Sequence, residues 1–500
     1  MEKSKVCLCL DGKTIAEDLK MVNQYRNYID LVELRADCLN DEEMQSIRRF
    51  PELVGGLPCI LTIRRKSDGG QFVDGEAART VIFASSLAYS EKNSGHPFAY
   101  IDMESDYFIS TLNDAAFAFG TKIIRSYHNF SEPVTDLKAL MKNLRKTGFE
   151  IPKVAFMPNS LEDVTRLYKQ SNAITDFDHI VLAMGPIGQP SRILATKFNS
   201  FLTYTCSEQP GTNLSELGQI DPVTLRNLYH FDEIDGETSI YGVAGYPLKV
   251  TGSPALHNAG FKKHGINSVY VPVRSKNAAE LIDFAETLNI KALSVTVPLK
   301  NEVVNHLEYK DKVVEKIRAS NTIVWTGLAW TGYNTDVLGF KKSLLEFLGT
   351  KSLFGKKVSI IGAGGAAKAI AYVVKELHGK ACVFNRTVEK ARLLAEEFGF
   401  KYSSLGFESM KLISKYSDII IQTTSVGLGV EENTISTEKN DPLYFYPFSG
   451  KEKVYDVIYE PVKTPILLRA EKSGCKVCNG EDMLRYQGYE QFEIYTGEKY

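Results

Sequence analysis

The chain has 500 residues, of which 44% are hydrophobic and 24% are charged, and its formal net charge is -2 at pH 7. This composition is typical of a globular protein with two or three domains. The near-neutral charge gives no electrostatic reason to expect nucleic acid or a membrane surface as a partner, so we expect small-molecule ligands. Met1, Glu2 and Lys3 lead directly into an apolar strand, and no apolar run reaches the roughly 18 residues of a spanning helix, so we expect a cytoplasmic protein.

Eight short apolar segments alternate with helical stretches between residue 5 and about residue 205. They read KVCLCL, IDLVELR, CILTIR, AYIDME, TKIIRSY, KVAFM, HIVLAMG and SFLTYT. Such strand-and-helix units are typical of a (β/α)8 barrel, in which functional side chains lie at the C-terminal ends of strands. We therefore predict an α/β chain that begins with a TIM barrel over residues 1–225.

Lys153 interrupts one of these strands, in the segment IPKVAFMPNS. Alternation places Lys153, Ala155 and Met157 on one face of the strand. Among apolar groups an ammonium loses its solvation, and the free amine is a nucleophile for a ketone. The alternative is that Lys153 lies at the mouth of the barrel with its ammonium in water.

Polar residues at other strand ends suit proton transfer and binding of a carboxylate. His128 follows the preceding strand, where it could move protons. Glu33 and Arg35 end a second strand and Arg64 ends a third. Guanidinium groups bind carboxylates through paired hydrogen bonds, so a carboxylated substrate is expected.

Residues 5–222 resemble the type I 3-dehydroquinate dehydratases through VELRAD, TIRRKSDGGQF, SYHNF, PKVAFMPNS, LAMGPIGQPSRI and SELGQ. The resemblance implies that Lys153 forms a Schiff base with the C3 ketone of 3-dehydroquinate. It implies that His128 removes the C2 proton and helps to expel the C1 hydroxyl. It also implies a set of substrate-binding residues, namely Glu33, Arg35, Arg64, Met184, Arg192, Ser215 and Gln219.

Two positions depart from the pattern of that family. Asp68 stands where the family has a glutamate near the catalytic histidine. Its carboxylate, which we assign to the catalytic set, is one methylene shorter and is expected to orient His128 less well unless the loop shifts. The usual SAPGQ segment reads SELGQ here, which keeps Ser215 and Gln219 but changes the residues between them.

A polar segment, HFDEIDGETS, separates the barrel from a second half with a different pattern. We predict a linker over residues 226–239 and a substrate-binding domain over residues 240–340 with a C-terminal return at about 480–500. A Rossmann domain is predicted over residues 341–480.

The segment VSIIGAGGAAKA predicts a strand, a glycine-rich turn and the start of a helix. Gly362, Gly364 and Gly365 would let a pyrophosphate approach the backbone at a helix N-terminus. The next strand ends in NRT, and Arg386 stands where an NAD site carries an acid. Because a guanidinium pairs with a 2'-phosphate, NADP is favoured over NAD; the alternative is a solvated arginine in a loop.

Lys300 ends the segment SVTVPLK, and Asp336 lies in GYNTDVLG. Both stand where an apolar strand gives way to a loop. Together they could pass a proton to or from an alcohol oxygen while hydride is transferred, although each alone would be an ordinary surface residue.

Residues 240–500 resemble shikimate dehydrogenase through YGVAGYPLKVTGSPALHNAGF, SVTVPLK, ASNTIV, GYNTDVLGF, GAGGAAKA, NRT, QTTSVGLG, YDVIYEPVKTPILLRA and GEDMLRYQG. The resemblance implies that Lys300 and Asp336 form a catalytic dyad. The shikimate-binding residues that it implies are Thr251, Ser253, Thr296, Asn321, Tyr459 and Gln487. The cofactor-binding residues that it implies are Gly362, Ala363, Gly364, Gly365, Ala366, Asn385, Arg386, Thr387 and Thr424. Thr251 replaces a usual serine, and its added methyl could tighten or tilt the carboxylate end of the pocket.

The two resemblances support each other, because 3-dehydroshikimate is the product of the first reaction and the substrate of the second. The whole chain resembles bifunctional dehydratase-dehydrogenase proteins of the shikimate pathway, which implies NADP(H) as cofactor and no metal. Three alternatives stay open: preference for quinate or NAD, a sensor that has lost turnover, and one active half beside a degenerate one.

The eight cysteines lie mostly in apolar runs and are expected to be reduced core residues. Cys475 and Cys478 form a CxxC pair. With no second pair nearby, packing is favoured over a metal or redox role.

Overall fold

The computed structural model describes residues 3–87, 97–207, 218–248, 251–431 and 433–500. The chain divides into two compact units, Met1–Ile290 and Lys291–Tyr500.

The first unit begins with a parallel barrel, as predicted. Its strands are β1 (Lys5–Leu10), β2 (Leu31–Arg35), β3 (Cys59–Thr62), β4 (Tyr100–Glu104), β5 (Lys122–Asn129), β6 (Ile151–Phe156), β7 (Ile180–Ala183) and β8 (Leu202–Thr205). Hydrogen bonds join them in the order β7-β6-β5-β4-β3-β2-β1-β8. Because β7 also contacts β8, the two ends of this order meet. The eight strands match the eight apolar segments of the sequence, so the barrel prediction is confirmed.

Eight α-helices accompany these strands in the described part of the barrel. They are α1 (Ile15–Tyr25), α2 (Phe50–Leu53), α3 (Gly75–Leu87), α4 (Ser110–Ala118), α5 (Leu137–Leu144), α6 (Leu161–Asn172), α7 (Gln189–Ile193) and α8 (Pro222–Asn227). Local sequence sets several of their starts: Ser160 and Asp163 form a capping box at the N-terminus of α6, which satisfies backbone N–H groups that the helix leaves free.

Side chains at alternate positions of the strands point into the barrel and pack there. Its buried cluster comprises Cys7, Leu31, Ile60, Tyr100, Ile124, Ile151, Ala155, Ile180, Leu182, Leu202 and Tyr204. Ile151 and Ala155 of β6 therefore face inward, and the alternation of a strand places Lys153 between them on the same face. The predicted orientation of Lys153 is confirmed, because its Nζ lies 4.1 Å from the centroid of the inward-facing Tyr204 ring.

Two strands and two α-helices follow the barrel among the described residues of the first unit. They are β9 (Ser239–Gly245), α9 (Ser253–His264), β10 (Ser268–Arg274) and α10 (Ala278–Thr287). β9 and β10 pair in parallel, with Ser239 opposite Ser268. α10 packs against α6 of the barrel, and β10 packs against α7. The barrel is thus in direct contact with the segment that follows it.

The second unit contains a mixed set of strands and a parallel sheet. The mixed set comprises β11 (Ile290–Val295), β12 (Tyr309–Lys310), β13 (Thr322–Trp325) and β14 (Trp330–Tyr333), with helices α11 (Lys312–Ile317) and α12 (Thr335–Leu348). β13 is antiparallel to both β11 and β14, and β14 runs parallel to β12.

The parallel sheet of the second unit has the strand order of a Rossmann fold. Its strands are β15 (Lys357–Ile361), β16 (Lys380–Asn385), β17 (Lys401–Ser404), β18 (Ile419–Gln422), β19 (Lys453–Asp456) and β20 (Lys476–Cys478). Its helices are α13 (Gly365–Glu376), α14 (Val388–Phe398), α15 (Met410–Lys415) and α16 (Pro465–Lys472). The C-terminal helix α17 (Glu481–Thr496) packs against α12. The order β17-β16-β15-β18-β19-β20 reverses beside β15, and ligands of such sheets bind at this switch point. The Rossmann prediction is confirmed.

All eight cysteines are free thiols, and Cys475 of the CxxC pair is buried. None of the described helices combines the length and apolar character that crossing a membrane requires.

Candidate active sites

The ammonium of Lys153 lies among carboxylates in the barrel. Its Nζ is 2.9 Å from Asp102 Oδ2 and 3.8 Å from Glu33 Oε1. The lysine is 5% exposed, so water does not surround it. Lys153 is buried, as predicted. The prediction of apolar surroundings is wrong, because two carboxylates lie beside its ammonium.

Asp102 links Lys153 to a second cation. Its Oδ1 lies 3.0 Å from Arg64 Nη2 and accepts a 2.6 Å hydrogen bond from Ser126. Burial raises the pKa of Asp102, but the charges of Arg64 and Lys153 outweigh burial and hold that pKa below its ordinary value. Asp102 is therefore ionised at neutral pH and holds both cations in place.

Four further residues of this cluster lie outside the predicted site, namely Asp102, Glu104, Ser126 and Tyr204. Glu104 also contacts Arg64, at 3.3 Å, and Ser126 accepts a 2.8 Å hydrogen bond from the same guanidinium. Asp102 and Glu104 belong to the segment AYIDME, where two acids at alternating positions interrupt an apolar strand. Burying an unpaired charge inside a barrel costs free energy, so acids on the inner face of a strand are expected to pair with cations. The two acids of this strand could therefore have been identified from the sequence.

His128 lies at the C-terminal end of β5, beside β6. Register pairs Ser126 with Lys153 and His128 with Ala155. Burial and the charges of Arg64 and Lys153 hold the pKa of His128 well below its ordinary value. Its Nδ1 is buried and has no hydrogen-bond partner within the described part of the chain. His128 is therefore an uncharged imidazole that can accept a proton.

Other predicted dehydratase residues surround the same barrel end. Glu33 accepts hydrogen bonds from Thr62, at 2.7 Å, and from the Cys9 thiol, at 3.1 Å. Arg35 forms a bidentate pair with Asp37, at 3.0 and 2.8 Å.

The remaining substrate-binding residues of the prediction lie on β7, α7 and the segment after β8. Arg192 is buried, and its Nη1 is 3.4 Å from the Tyr204 carbonyl. Gln219 accepts a 3.2 Å hydrogen bond from Cys206, and half-buried Met184 packs against the barrel interior. Ser215 lies outside the described residues.

Asp68 makes its hydrogen bonds with residues of its own loop. Its Oδ2 lies 2.8 Å from Arg65 Nε and accepts a 2.8 Å hydrogen bond from Ser67. No hydrogen bond joins Asp68 to His128 among the residues that the structure describes. In this arrangement Asp68 holds Arg65 rather than orienting the imidazole.

In the second unit Lys300 and Asp336 form a close pair. Lys300 Nζ donates a 2.6 Å hydrogen bond to Asp336 Oδ2. Asn321 donates a 2.9 Å hydrogen bond to the other carboxylate oxygen, and Gln487 Oε1 lies 3.3 Å from the same amide nitrogen. The structure thus brings together four residues that the sequence placed in one site, although they are spread from position 300 to position 487.

The other predicted shikimate-binding residues are divided between the two units. In the first unit the hydroxyl oxygens of Thr251 and Ser253 are 3.2 Å apart at the start of α9. In the second unit Thr296 and Tyr459 are half-buried. Hydroxyls that point at one another can share a ligand carboxylate, which suits the predicted role of the first two.

The glycine-rich turn between β15 and α13 has room for a ligand. Gly362 has a φ of +114°, and a Cβ there would come within 2.4 Å of Thr423 Oγ1 and 2.9 Å of Thr424 Cγ2. A Cβ at Gly364 would meet no atom within 4 Å, and one at Gly365 would lie 3.7 Å from Lys300 Cδ. No side chain caps α13. The turn therefore offers free backbone N–H groups next to Lys300, which fits a pyrophosphate. Ala363 lies in this turn, and Ala366 is the second residue of α13.

Arg386 is exposed just beyond β16, the strand next to the glycine-rich turn. Asn385 shapes this corner by donating a 2.9 Å hydrogen bond to the Thr387 carbonyl. No described side chain pairs with the Arg386 guanidinium, so it is available for a phosphate.

Comparisons with known proteins cover both halves of the chain. A family model described as type I 3-dehydroquinase matches residues 6–236. Models described as shikimate dehydrogenase substrate binding domain and as shikimate / quinate 5-dehydrogenase match residues 243–323 and 346–441.

Individual relatives agree with these models. The bifunctional 3-dehydroquinate dehydratase/shikimate dehydrogenase, chloroplastic, of Arabidopsis thaliana is 32% identical over 493 residues, which cover 94% of this chain and 78% of the relative. A shikimate dehydrogenase (NADP(+)) of Pyrococcus furiosus is 38% identical over 267 residues, or 53% of this chain and 93% of the relative. A crystal structure of a shikimate dehydrogenase in complex with NADP+ shares 35% identity over 53% of this chain and 92% of that chain, with a TM-score of 0.46. Because the Arabidopsis match spans both halves, the chain belongs to the family of bifunctional 3-dehydroquinate dehydratase/shikimate dehydrogenase proteins.

Proposed function

We propose that the chain removes water from 3-dehydroquinate and then reduces the product, 3-dehydroshikimate, to shikimate with NADPH. The observation that carries this proposal is the presence of two separate lysine centres in one chain. Lys153 is buried beside an uncharged histidine in the barrel, and Lys300 lies 2.6 Å from Asp336 beside the glycine-rich turn. The first centre suits covalent catalysis on a ketone, and the second suits proton transfer to an alcohol oxygen.

In the dehydratase half, the Lys153 amine attacks the C3 carbonyl of 3-dehydroquinate. Loss of water gives an imine, which accepts electron density as a proton leaves C2. The electron pair from the C2–H bond forms the C1–C2 double bond as the C1 hydroxyl leaves and is protonated to water. Hydrolysis of the imine then returns the Lys153 amine, so that the net change is the loss of one water.

His128 suits the proton transfers of this half. Its neutral imidazole can accept the C2 proton and then deliver it to the departing hydroxyl. The ammonium of Lys153 must give up a proton before it attacks, and its carboxylate neighbours Asp102 and Glu33 keep the Nζ directed into the site. Arg64, Arg35 and Arg192 would hold the substrate carboxylate and hydroxyls.

The lowered pKa of His128 predicts how the dehydratase rate depends on pH. A base must be unprotonated, so its contribution is complete above its pKa and is lost as the pH falls through it. Because the pKa of His128 in the ligand-free protein lies well below the ordinary value of 6.5, we expect its contribution to kcat/KM to be nearly constant between about pH 8 and about pH 6.5, with a decline only at lower pH. A His128 titration in the kcat/KM profile that is already half complete at about pH 6.5 would contradict this role.

In the dehydrogenase half, the ammonium of Lys300 would give a proton to the oxygen of the 3-dehydroshikimate ketone as it becomes an alcohol. Asp336 holds that ammonium, and Asn321 fixes the other oxygen of Asp336. NADPH, when bound, supplies the hydride. Thr251, Ser253, Thr296, Tyr459 and Gln487 would bind the substrate.

Arg386 is proposed to select NADPH over NADH by pairing with the 2'-phosphate. We expect Arg386→Ala to raise KM for NADPH by about 10–100-fold, in line with the loss of a charge-assisted hydrogen bond, and to leave KM for NADH within about twofold. Arg392→Ala is the matched control, because that guanidinium lies on the following helix and is already paired with Glu389 and Glu396. Equal losses with both cofactors would show that Arg386 does not bind the phosphate.

The test of the whole proposal is oxidation of NADPH by the purified protein supplied with 3-dehydroquinate. Activity in this coupled assay requires both halves. Activity with 3-dehydroshikimate but none with 3-dehydroquinate would favour a degenerate dehydratase, for which the pairing of Asp68 with Arg65 is the supporting observation. No activity with either substrate would favour a ligand sensor that has lost turnover. Faster oxidation of quinate than of shikimate with NAD(P)+ would mean that quinate is the preferred substrate of the dehydrogenase half. Cytoplasmic location remains a prediction that cell fractionation can test.

A further inference from the structure

A buried arginine from outside the barrel reaches the loop that carries two proposed dehydratase residues. Arg274 is the last residue of β10, within the region matched by the shikimate dehydrogenase substrate-binding model, and is 5% exposed. Its Nη1 donates hydrogen bonds to Gln189 Oε1, at 2.6 Å, and to the Pro186 carbonyl, at 3.3 Å. Gln189 is itself buried. Both acceptors lie in the dehydratase half.

The loop that Arg274 contacts leads directly into the proposed substrate-binding residues. It begins at Met184, which follows β7, and ends in the five-residue helix α7, on which Arg192 lies. Gln189 is the first residue of that helix. A shift of Gln189 therefore moves the backbone from which the Arg192 guanidinium extends.

On its other sides the same loop is tightly confined. A Cβ at Gly188 would lie 2.2 Å from the Ala183 carbonyl oxygen, and one at Gly218 would lie 2.0 Å from the Gly185 carbonyl oxygen. Gly218 directly precedes Gln219, another proposed substrate-binding residue. The loop thus lies between the segment that carries Gln219 and the side chain of Arg274. Removal of the Arg274 side chain would leave the loop unsupported where Arg274 now contacts it.

We propose that Arg274 is a positioning residue for the dehydratase site: it holds the loop of residues 184–189 so that Met184 and Arg192 face the substrate. Through this contact, dehydration depends on a residue of the dehydrogenase substrate-binding segment. The inference rests on the proposed dehydratase site. Because Arg192 would hold the substrate and takes no part in the proposed imine formation or proton transfers, its displacement weakens substrate binding more than it slows chemistry.

The test compares variants of the full chain in the direct dehydratase assay, with kcat and KM for 3-dehydroquinate measured separately. We expect Arg274→Ala to raise KM by about 10-fold, with kcat changed by less than about threefold. Gln189→Ala, which leaves the hydrogen bond from Arg274 to the Pro186 carbonyl, should give a smaller increase in the same direction. The double variant should be no worse than Arg274→Ala, because Arg274→Ala already removes the contact with Gln189. Arg274→Lys, which keeps a cationic donor, should restore part of the loss.

Two controls separate positioning from general damage. Lys169→Ala removes another contact between the barrel and the following segment, the 3.7 Å pair with Asp283, whose side chains are 56% and 55% exposed; it should leave KM within about twofold. Reduction of 3-dehydroshikimate by Arg274→Ala should also stay within about twofold of the unaltered protein. If Arg274→Ala does not fold, Gln189→Ala and Arg274→Lys carry the same test.

Several results would overturn the inference. An unchanged KM in Arg274→Ala and Gln189→Ala would do so, as would parallel losses of both activities or multiplicative effects in the double variant. If the unaltered protein does not dehydrate 3-dehydroquinate, the proposed dehydratase function is wrong. That result is seen without any variant and is therefore distinct from a failure of the Arg274 inference.

Discussion

Lys153→Ala is expected to lower kcat for dehydration of 3-dehydroquinate by at least about 10⁴-fold, in line with the removal of a covalent nucleophile. Without the amine no imine forms, and the electrons of the C2–H bond have no acceptor. NADPH oxidation from 3-dehydroquinate should stop, whereas oxidation from added 3-dehydroshikimate should continue at the unaltered rate. The two halves would then be assigned by a single substitution.

Lys153→Arg is the sharper variant, because it keeps a cation beside Asp102 and Glu33 but cannot form an imine. It should be as inactive as Lys153→Ala. Borohydride added with 3-dehydroquinate should reduce the imine and so leave the substrate attached to Lys153 of the unaltered protein. Neither variant should carry this adduct, and peptide mass spectrometry would detect it. Lys169→Ala, which removes an exposed lysine of α6, should be labelled normally. An unlabelled Lys153 under turnover conditions would exclude the Schiff base.

The second large effect is expected at the dehydrogenase pair. Lys300→Ala should lower kcat for reduction of 3-dehydroshikimate by about 10²–10⁴-fold, the usual range for loss of a general acid. Asp336→Asn should give a loss within the same range, because Lys300 Nζ would lose its charged partner at 2.6 Å. Steady-state NADPH oxidation measures both, while direct dehydration of 3-dehydroquinate should remain unchanged.

The matched control for this pair lies on the same helix as Asp336. Lys341 of α12 forms an ion pair with Glu376 of the same 2.6 Å length, but the two side chains are 37% and 41% exposed. Exposed pairs contribute little to stability, so Lys341→Ala should leave both activities within about twofold. A comparable loss in Lys341→Ala and Lys300→Ala would mean that Lys300 acts only through the fold of the domain.

Asp68 and Asp102 illustrate which features of the dehydratase site could not be predicted. The family pattern implied that Asp68 orients His128, but in the structure Asp68 pairs with Arg65 three residues earlier. Asp102, which sequence analysis passed over, is the acid that contacts Lys153 from 51 positions away. Which charges pair across a barrel depends on which strand ends meet, and that is a long-range property.

The sequence by itself determined the eight barrel strands and the glycine-rich turn, and it nominated the candidate reactive groups. Alternation of side chains in a strand and the spacing of glycines are local regularities imposed by backbone geometry, so Lys153 could be placed on the inner face and Gly362 in the turn before α13. Only the tertiary structure decided which groups surround these residues. It placed the carboxylates beside Lys153 and Gln189 beside Arg274, and it buried His128 near two cations, which lowers the pKa of the imidazole. Those features arise where segments distant in sequence exclude water together, and the strength of a charge interaction is set by that exclusion.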